Sequence, residues 1–325
     1  MKRIQIISLI LIMALCLSGC SVLDKLEPLP VVEADGSYVS PSDTPAPEET
    51  AKPAENTPTP APEPTPEPTP EPTPEPTPDP GPIYNADMEE LRDSIRKQME
   101  STNGNWAVYV EDLETGAGFE LWQGFGSSRD IPPASTVKLF IVTAYLYAME
   151  KGEVPDDYDT QLALKYTITR SDNNTSDWLS TRLGFDRINE IISDLGFKDT
   201  EVTHKLTADS ELKNYTSVSD ISRLLKQCYK GTLVSPEVSA QLMEYLKGQE
   251  INTKMSICLP WYAELAHKTG EYYSNANHDV GIIFMPDGSH DFIMCCFSAE
   301  MGDETARYTI AEMAKDACEY FYQGK

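Results

Sequence analysis

Two prolines precede a serine and a lysine in the stretch Pro132-Pro133-Ala134-Ser135-Thr136-Val137-Lys138, which leads directly into an apolar segment. Proline fixes φ and lacks a backbone N–H, so it ends the preceding structure and is tolerated where a helix begins. The apolar residues that follow recur at helical spacing, which predicts that Ser135 lies in the first turn of a mostly buried helix. Lys138 stands one turn further on, on the same face.

This Ser-x-x-Lys pair suits nucleophilic chemistry if other residues support it. A serine hydroxyl is a weak nucleophile until a base takes its proton, and a lysine in a desolvated pocket is neutral enough to be that base. The same spacing occurs at Ser94/Lys97, on a charged helix, and at Ser210/Lys213, in a polar loop. Neither pair opens an apolar helix, so we interpret both as ordinary polar residues.

Residues 1–20 have the pattern of an export signal. Lys2-Arg3 precedes an apolar core, which is too short to span a membrane stably, and Leu17-Ser18-Gly19-Cys20 follows. The last four residues resemble the lipobox of bacterial lipoproteins. That resemblance implies a lipid on Cys20 and attachment to the extracytoplasmic face of the cell membrane. An ordinary cleaved signal and a signal-anchor are the alternatives.

Residues 21–82 are predicted to be a disordered linker. They contain most of the chain's 25 prolines and end in a Pro-Glu-Pro-Thr repeat from Pro62 to about Pro78. Such a composition buries too little apolar surface to offset the entropy of ordering, and the repeat favours a semi-rigid polyproline II spacer. We interpret the linker as a tether that holds a domain off a membrane, and a recognition tract for a partner is the alternative.

Residues 83–325 are long enough for one large domain. They hold 39 acidic and 22 basic residues, a net charge of −17 that argues against nucleic acid as a ligand. Their five cysteines are odd in number and lack the spacing of a disulfide framework or a metal motif, so we expect mostly buried thiols. The histidines are scattered, and neither a metal site nor a cofactor is expected.

The order of the predicted elements indicates an α+β architecture. They are a helix over 86–100, strands over 106–111 and 119–122, helices between 135 and 247, strands over 263–269, 279–285 and 291–298, and a helix over 303–322. Because strands stand on both sides of the helical run, we expect one five-stranded antiparallel sheet with flanking terminal helices and one helical insertion.

Two further motifs follow Ser135-x-x-Lys138 in order. Ser171-Asp172-Asn173 stands between helical segments, and Lys268-Thr269-Gly270 ends a predicted strand. Alone, the first would be interpreted as a helix cap and the second as a solvated strand end. Together, the three motifs resemble the signature of class A β-lactamases and penicillin-binding proteins. The resemblance covers residues 103–322 and implies a β-lactamase-like fold that needs no cofactor.

The resemblance implies chemical roles for three of these residues. Ser135 would be the acylated nucleophile, and Lys138 would accept its proton. Ser171 would relay the proton to the leaving nitrogen. Acyl transfer needs a nucleophile, a proton path, an anion clamp and two oxyanion amides, and the motifs supply all of them.

Substrate binding is implied for five residues: Asn173, Lys268, Thr269, Gly270 and Glu271. Asn173 would hold the substrate amide, and Lys268 with Thr269 would bind the substrate carboxylate. The backbone N–H groups of Glu271 and of the nucleophile would form the oxyanion hole.

Two features depart from the family pattern. The family's glutamate for the hydrolytic water belongs in a loop that is shortened here, over residues 204–214, and Leu206 falls near its place. Glu201 and Glu211 are the nearest carboxylates, and neither has the expected sequence context. Glu271 replaces a residue that is usually small. These departures predict slow deacylation and a changed substrate site.

The sequence therefore predicts a secreted, lipid-anchored serine acyl-hydrolase that β-lactams or D-Ala-D-Ala-like substrates acylate. A D,D-peptidase or another peptidoglycan hydrolase is one alternative, since it would use the same first half-reaction. A penicillin-binding sensor or cell-wall-binding module, acylated once or not at all, is another. Turnover separates these classes, because a sensor stays acylated.

Overall fold

The computed structural model describes residues 88–208, 213–272, 276–286 and 288–323. The predicted signal peptide, Cys20, the linker, Ser210 and Glu211 lie outside this part of the chain. Within the described residues, no helix has both the length and the apolar character needed to cross a bilayer.

Five antiparallel strands form the sheet, in the spatial order β2-β1-β5-β4-β3. They are β1 Asn105–Asp112, β2 Gly118–Gln123, β3 Glu264–Tyr272, β4 Ala276–Phe284 and β5 Phe292–Ala299. The pairing of β1 with β5 joins the strands from the two ends of the domain. The predicted α+β fold, with one sheet built from both ends, is confirmed.

Eight α-helices surround the sheet in the described residues. They are α1 Glu89–Glu100, α2 Lys138–Glu150, α3 Tyr158–Thr169, α4 Asn173–Leu183, α5 Phe185–Asp194, α6 Val218–Tyr229, α7 Pro236–Lys247 and α8 Asp303–Gln323. Four of them begin at a side chain that accepts a backbone N–H bond, namely Asp157, Asp172, Ser217 and Ser235. These residues favour N-caps because they satisfy donors that the first turn leaves free.

The core has two layers, one on each face of the sheet. The inserted helices α2–α7 cover one face, and α1 with α8 covers the other. Helix α2 is buried nearly all round because it lies in the middle of the insertion. Cys295 and Cys296 point into opposite layers, as alternation along a strand requires. Of the five cysteines in the described residues, all are free thiols and only Cys258 is partly exposed.

Among the boundaries that differ from the predictions, two lie at the candidate site. Ser135 lies in a short 3₁₀ turn, Ala134–Val137, and helix α2 begins only at Lys138. Ser135 thus lies in a helical turn that leads directly into the buried helix, and the residue before it, Ala134, has a left-handed backbone with φ of 48°. Strand β3 runs on to Tyr272, because its pairing with β4 continues past the predicted end.

Candidate active site

Ser135 and Lys138 meet at the start of helix α2. The Lys138 Nζ lies 3.1 Å from the Ser135 Oγ, so the two groups share a hydrogen bond. Ala134, before the serine, and Ser171, across the site, both have positive φ values, 48° and 55°. Such conformations cost free energy in residues other than glycine and are concentrated at functional sites.

The hydrogen bonds of Lys138 accommodate both its ammonium form and its neutral form. Its Nζ donates to two atoms that can only accept, the Ser171 carbonyl oxygen at 2.5 Å and the Asn173 Oδ1 at 2.6 Å. A neutral amine has two N–H groups and one lone pair. In the neutral form, with both N–H groups bonded to these two atoms, the lone pair faces the Ser135 O–H and can accept its proton, as a general base does.

The electrostatic surroundings of Lys138 favour the same form. Burial lowers the pKa of Lys138 to about 7, and the negative charges of Asp172 and Asp177 oppose that effect. Desolvation disfavours the ammonium form, while nearby carboxylates favour it. A substantial fraction of Lys138 is therefore neutral at neutral pH.

Ser171 lies between two lysines. The Lys268 Nζ donates to the Ser171 Oγ at 2.8 Å, and the Lys138 Nζ lies 3.3 Å from the same oxygen. Lys268 is fully buried and also donates to the Thr269 carbonyl oxygen at 2.7 Å. Burial lowers the pKa of Lys268 well below its usual range, and Lys138 adds to the effect. The Ser171 hydroxyl is thus placed to pass a proton between Lys138 and a bound substrate.

Gly270 lets strand β3 approach the serine turn closely. A Cβ atom at Gly270 would lie 3.0 Å from the Thr136 side chain and 3.3 Å from the Ala134 Cβ. Strand β3 is an edge strand, so every second N–H along it has no partner in β4. The N–H of Glu271 stays the predicted second donor of the oxyanion hole.

His278 holds the serine turn from the next strand, β4. Its Nε2–H donates to the Pro132 carbonyl oxygen at 2.6 Å, and its Nδ1 accepts the Ser298 N–H at 3.2 Å. Burial lowers the pKa of His278 to about 4, so the ring is neutral at neutral pH. The sequence offered only a familiar Asn277-His278-Asp279 pattern, and no sequence signal paired this histidine with Pro132.

Asp177 on helix α4 anchors the shortened loop. Its carboxylate accepts the Leu206 N–H at 2.6 Å, the Thr207 N–H at 3.0 Å and the Thr207 O–H at 2.5 Å. The sequence analysis missed this residue. Its spacing, four residues after Asn173 and therefore on the same helical face, was the available signal.

The loop brings no free carboxylate to the site in the described residues. Leu206 occupies the predicted place of the family's glutamate, and its side chain packs against the core of the helical insertion. The Glu201 backbone pairs with Tyr215, and its carboxylate lies 3.4 Å from the Arg129 guanidinium. Glu211 lies outside the described part of the chain.

The structure thus joins five predicted residues into one hydrogen-bonded cluster: Ser135, Lys138, Ser171, Asn173 and Lys268. Asp172 caps helix α4 by accepting the Thr175 N–H at 2.7 Å, so the helix-cap interpretation holds for the middle residue of that motif. No group of His, Cys, Asp and Glu side chains in the described residues is arranged to hold a metal ion.

The sequence matches the model of the beta-lactamase enzyme family over residues 90–163 and 153–321. These segments make up well over half of the chain. The chain therefore belongs to the beta-lactamase enzyme family. No curated protein matches it.

Solved structures of this class share the fold. The beta-lactamase from Sphaerobacter thermophilus DSM 20745 is 19% identical, with a TM-score of 0.63, over 73% of this chain and 98% of its own. PBP-A is 21% identical, with a TM-score of 0.65, over 75% of this chain and 99% of its own. A leucine-to-glutamate mutant of PBP-A, solved as an acyl-enzyme complex with penicillin G, is 22% identical, with a TM-score of 0.64, over 73% of this chain and 97% of its own.

Proposed function

We propose that this protein is a serine acyl-hydrolase that β-lactams or D-Ala-D-Ala-like substrates acylate at Ser135, and that it releases the acyl group slowly. The observation that carries the proposal is the hydrogen bonding of Lys138. Two short bonds to acceptor-only atoms hold the Lys138 Nζ beside the Ser135 Oγ, so that in the neutral form its lone pair faces the Ser135 O–H. Membership of the beta-lactamase enzyme family supports the same reaction class.

The residues divide the acylation step between them. Ser135 Oγ bonds to the substrate carbonyl carbon while Lys138 takes its proton, and the carbonyl oxygen becomes an oxyanion facing the N–H groups of Ser135 and Glu271. The C–N bond then breaks as the Ser171 hydroxyl gives its proton to the leaving nitrogen. Lys138 returns a proton to Ser171, which leaves a neutral amine and an ester on Ser135.

Binding would come from the strand and the helix that flank the serine. Lys268 and Thr269 would bind the substrate carboxylate, whose charge would favour the ammonium form of Lys268 that burial now disfavours. Asn173 would hold the substrate amide, and Gly270 would keep β3 close enough for the substrate to lie along its edge.

Hydrolysis of the ester needs a second base beside the acylated serine. One general base is typically worth about 10²–10⁴ in rate. Leu206 falls near the predicted place of the family's glutamate, and the neighbouring carboxylate, Asp177, accepts three hydrogen bonds from that loop. We therefore expect the adduct to persist.

The test is acylation of the protein by a chromogenic cephalosporin and by a D-Ala-D-Ala peptide, followed by absorbance and by intact mass. The expected result is a burst near one equivalent, slow turnover afterwards, and an adduct on the peptide that contains Ser135. Steady turnover in the hundreds per second without an adduct would overturn the slow-deacylation proposal.

A matched pair of variants controls the assignment. Ser135→Ala is expected to abolish the adduct. Ser94→Ala is the control, because Ser94 also precedes a lysine by three residues but donates to Asp316 at 2.7 Å. An adduct that survives Ser135→Ala at the wild-type yield would refute the assignment of the nucleophile.

The proposed location is the outer face of the cell membrane, through a lipid on Cys20. The support is the Leu-Ser-Gly-Cys sequence after an apolar core. Cys20→Ser is expected to move the protein from the membrane fraction to the soluble fraction. Unchanged fractionation would contradict the lipid anchor.

A further inference from the structure

A buried lysine that the proposed mechanism does not use lies beside strand β3. Lys254 is fully buried, in a segment that two contacts hold against the sheet. The Met255 N–H donates to the Asp279 Oδ2 at 3.0 Å, and Asn252 Oδ1 lies 3.2 Å from the His267 Nε2. His267 and Asp279 themselves pair at 2.8 Å across β3 and β4. The backbone on both sides of Lys254 is therefore held against the sheet.

The partner of Lys254 is the residue that departs from the family pattern. The Lys254 Nζ donates to the Glu271 Oε1 at 2.7 Å, and the Arg307 guanidinium lies 3.3 Å from the same oxygen. The Glu271 side chain is 44% exposed, whereas Lys254 is 0% exposed. Solvent therefore reaches the carboxylate of Glu271 but not the side chain of Lys254.

The charges of Lys254, Arg307 and Glu271, the Glu271 trio, affect the protonation of the candidate site. Lys254 lowers the pKa of Lys268, and Glu271 raises it. Burial raises the pKa of Glu271, but the combined effect of Lys254, Arg307 and Lys268 is larger and lowers it. Glu271 is thus ionised at neutral pH and follows directly after Lys268-Thr269-Gly270, where the substrate carboxylate is expected.

We propose that Lys254 and Arg307 form a carboxylate-binding site at the end of strand β3 that follows Lys268, and that Glu271 fills this site with its own carboxylate in the free protein. Glu271 is then a specificity-determining residue that disfavours substrates with a free carboxylate beside the scissile amide. This inference rests on the proposed acylation of Ser135 and names the substrate class that the site selects.

The physical reason is competition between two carboxylates. A substrate carboxylate that binds Lys268 and Thr269 approaches the negative charge of Glu271, and like charges side by side are unfavourable at a desolvated site. A substrate whose carboxylate is esterified or amidated does not meet this cost. Specificity is the difference between the two affinities, so a repulsive residue contributes as much as an attractive one.

The experiment compares a penicillin that has a free carboxylate with its methyl ester. The second-order rate constant for acylation of the full chain is measured by intact mass for each compound. In Glu271→Gln, the acid-to-ester ratio of these constants is expected to rise by at least about tenfold, because the competing carboxylate is gone. Glu264→Gln is the matched control, since Glu264 begins the same strand and is 79% exposed. Its ratio should equal that of the wild type.

Further variants distinguish two causes of such a rise: binding of the substrate carboxylate by Lys254, and the mere loss of a negative charge at residue 271. Adding Lys254→Met to Glu271→Gln removes the proposed receptor but keeps the relief of repulsion, so the gain should be smaller than in the single variant. An equal gain in the double variant would overturn the role of Lys254. If Glu271→Gln fails to fold because Lys254 is left without a counter-charge, Glu271→Asp, which shortens the side chain, should still raise the ratio.

The remaining outcomes are distinguishable. A folded Glu271→Gln protein that is acylated at Ser135 with an unchanged acid-to-ester ratio overturns this inference alone. If neither compound acylates Ser135 in the wild type, the proposed function is overturned and this inference with it.

Discussion

The serine side of the candidate site and the loop side use their buried ionisable groups in opposite ways. On the serine side, the Lys138 Nζ lies within hydrogen-bond distance of the Ser135 Oγ, and Ser171 connects it to Lys268. On the loop side, the Asp177 carboxylate is buried and accepts three bonds that hold the loop itself. The serine side therefore offers Lys138 as a base for the serine proton. On the loop side, the Asp177 carboxylate is occupied by hydrogen bonds that hold the loop.

This difference teaches that the two half-reactions of acyl transfer have separate structural requirements. Ester formation needs the nucleophile, its base and a proton path to the leaving nitrogen. Ester hydrolysis needs one more base at a water that arrives later. A chain with only the first set is expected to accumulate adduct, and the predictions below test each side in turn.

The largest effect is expected from Lys138→Ala. Loss of the general base should lower the maximal acylation rate by about 10²–10⁴-fold. Lys268→Ala should instead raise the substrate concentration at which acylation reaches half its maximal rate. The reason is that a strand-side ammonium binds the substrate carboxylate in the ground state as well as in the transition state. Stopped-flow acylation with a chromogenic cephalosporin over a range of concentrations separates the two effects.

The structure sharpens this test. Lys268 also donates to Ser171, so Lys268→Ala should lower the maximal rate as well, but less than Lys138→Ala does. Lys97→Ala, from the other Ser-x-x-Lys pair in the described residues, serves as the control. If more substrate fully restores acylation of Lys138→Ala, Lys138 is not the base.

The serine side could be predicted from sequence because its signals are local. The spacing of Ser135 and Lys138, the apolar period of the helix behind them and the order of the other two motifs all lie within short windows. The same windows gave the strands and the terminal helices to within a few residues. Tertiary contacts then brought the motifs together as the family resemblance implied.

The loop side and the Glu271 trio could not be predicted, because they depend on pairs far apart in sequence. Asp177 binds Leu206 across 29 residues, and Arg307 reaches Glu271 across 36. Nothing near Lys254 in the sequence shows that its ammonium is buried. The left-handed backbone at Ala134 was also missed, since alanine rarely adopts it and only surrounding packing can hold it there.

Leu206→Glu would supply the loop side with a carboxylate that could act as the base for ester hydrolysis. It places a carboxylate where the loop now has an apolar side chain, while Asp177 still holds the backbone N–H. Release of the acyl group should become at least about tenfold faster, which is about 1.4 kcal/mol of barrier. The lifetime of the penicillin adduct by intact mass is the measurement.

Leu206→Gln is the matched control, because it has the same size as the glutamate and no charge. Thermal unfolding of both variants checks that the loop has kept its place. If Leu206→Glu is as stable as Leu206→Gln and its adduct lasts as long, a missing carboxylate in this loop does not cause slow release.

The smallest effect concerns the pH at which Lys138 becomes a base. Burial lowers its pKa to about 7, and the charge of Asp172 works against that effect. Protonated Lys138 cannot accept the Ser135 proton, so the acylation rate should rise with pH through about 7. Asp172→Asn removes a charge that favours the ammonium form, so the pKa of Lys138 should fall and the rising limb should move to lower pH. The new side chain can still cap helix α4, because asparagine also accepts the Thr175 N–H.

At pH 6 the Asp172→Asn variant should therefore acylate faster than the wild type, by less than about tenfold, since one pKa unit is a factor of ten. Asp159→Asn makes the same charge change at an exposed position in the first turn of helix α3 and should leave the limb in place. A limb that stays fixed in Asp172→Asn, or moves to higher pH, would show that the titrating group is not Lys138.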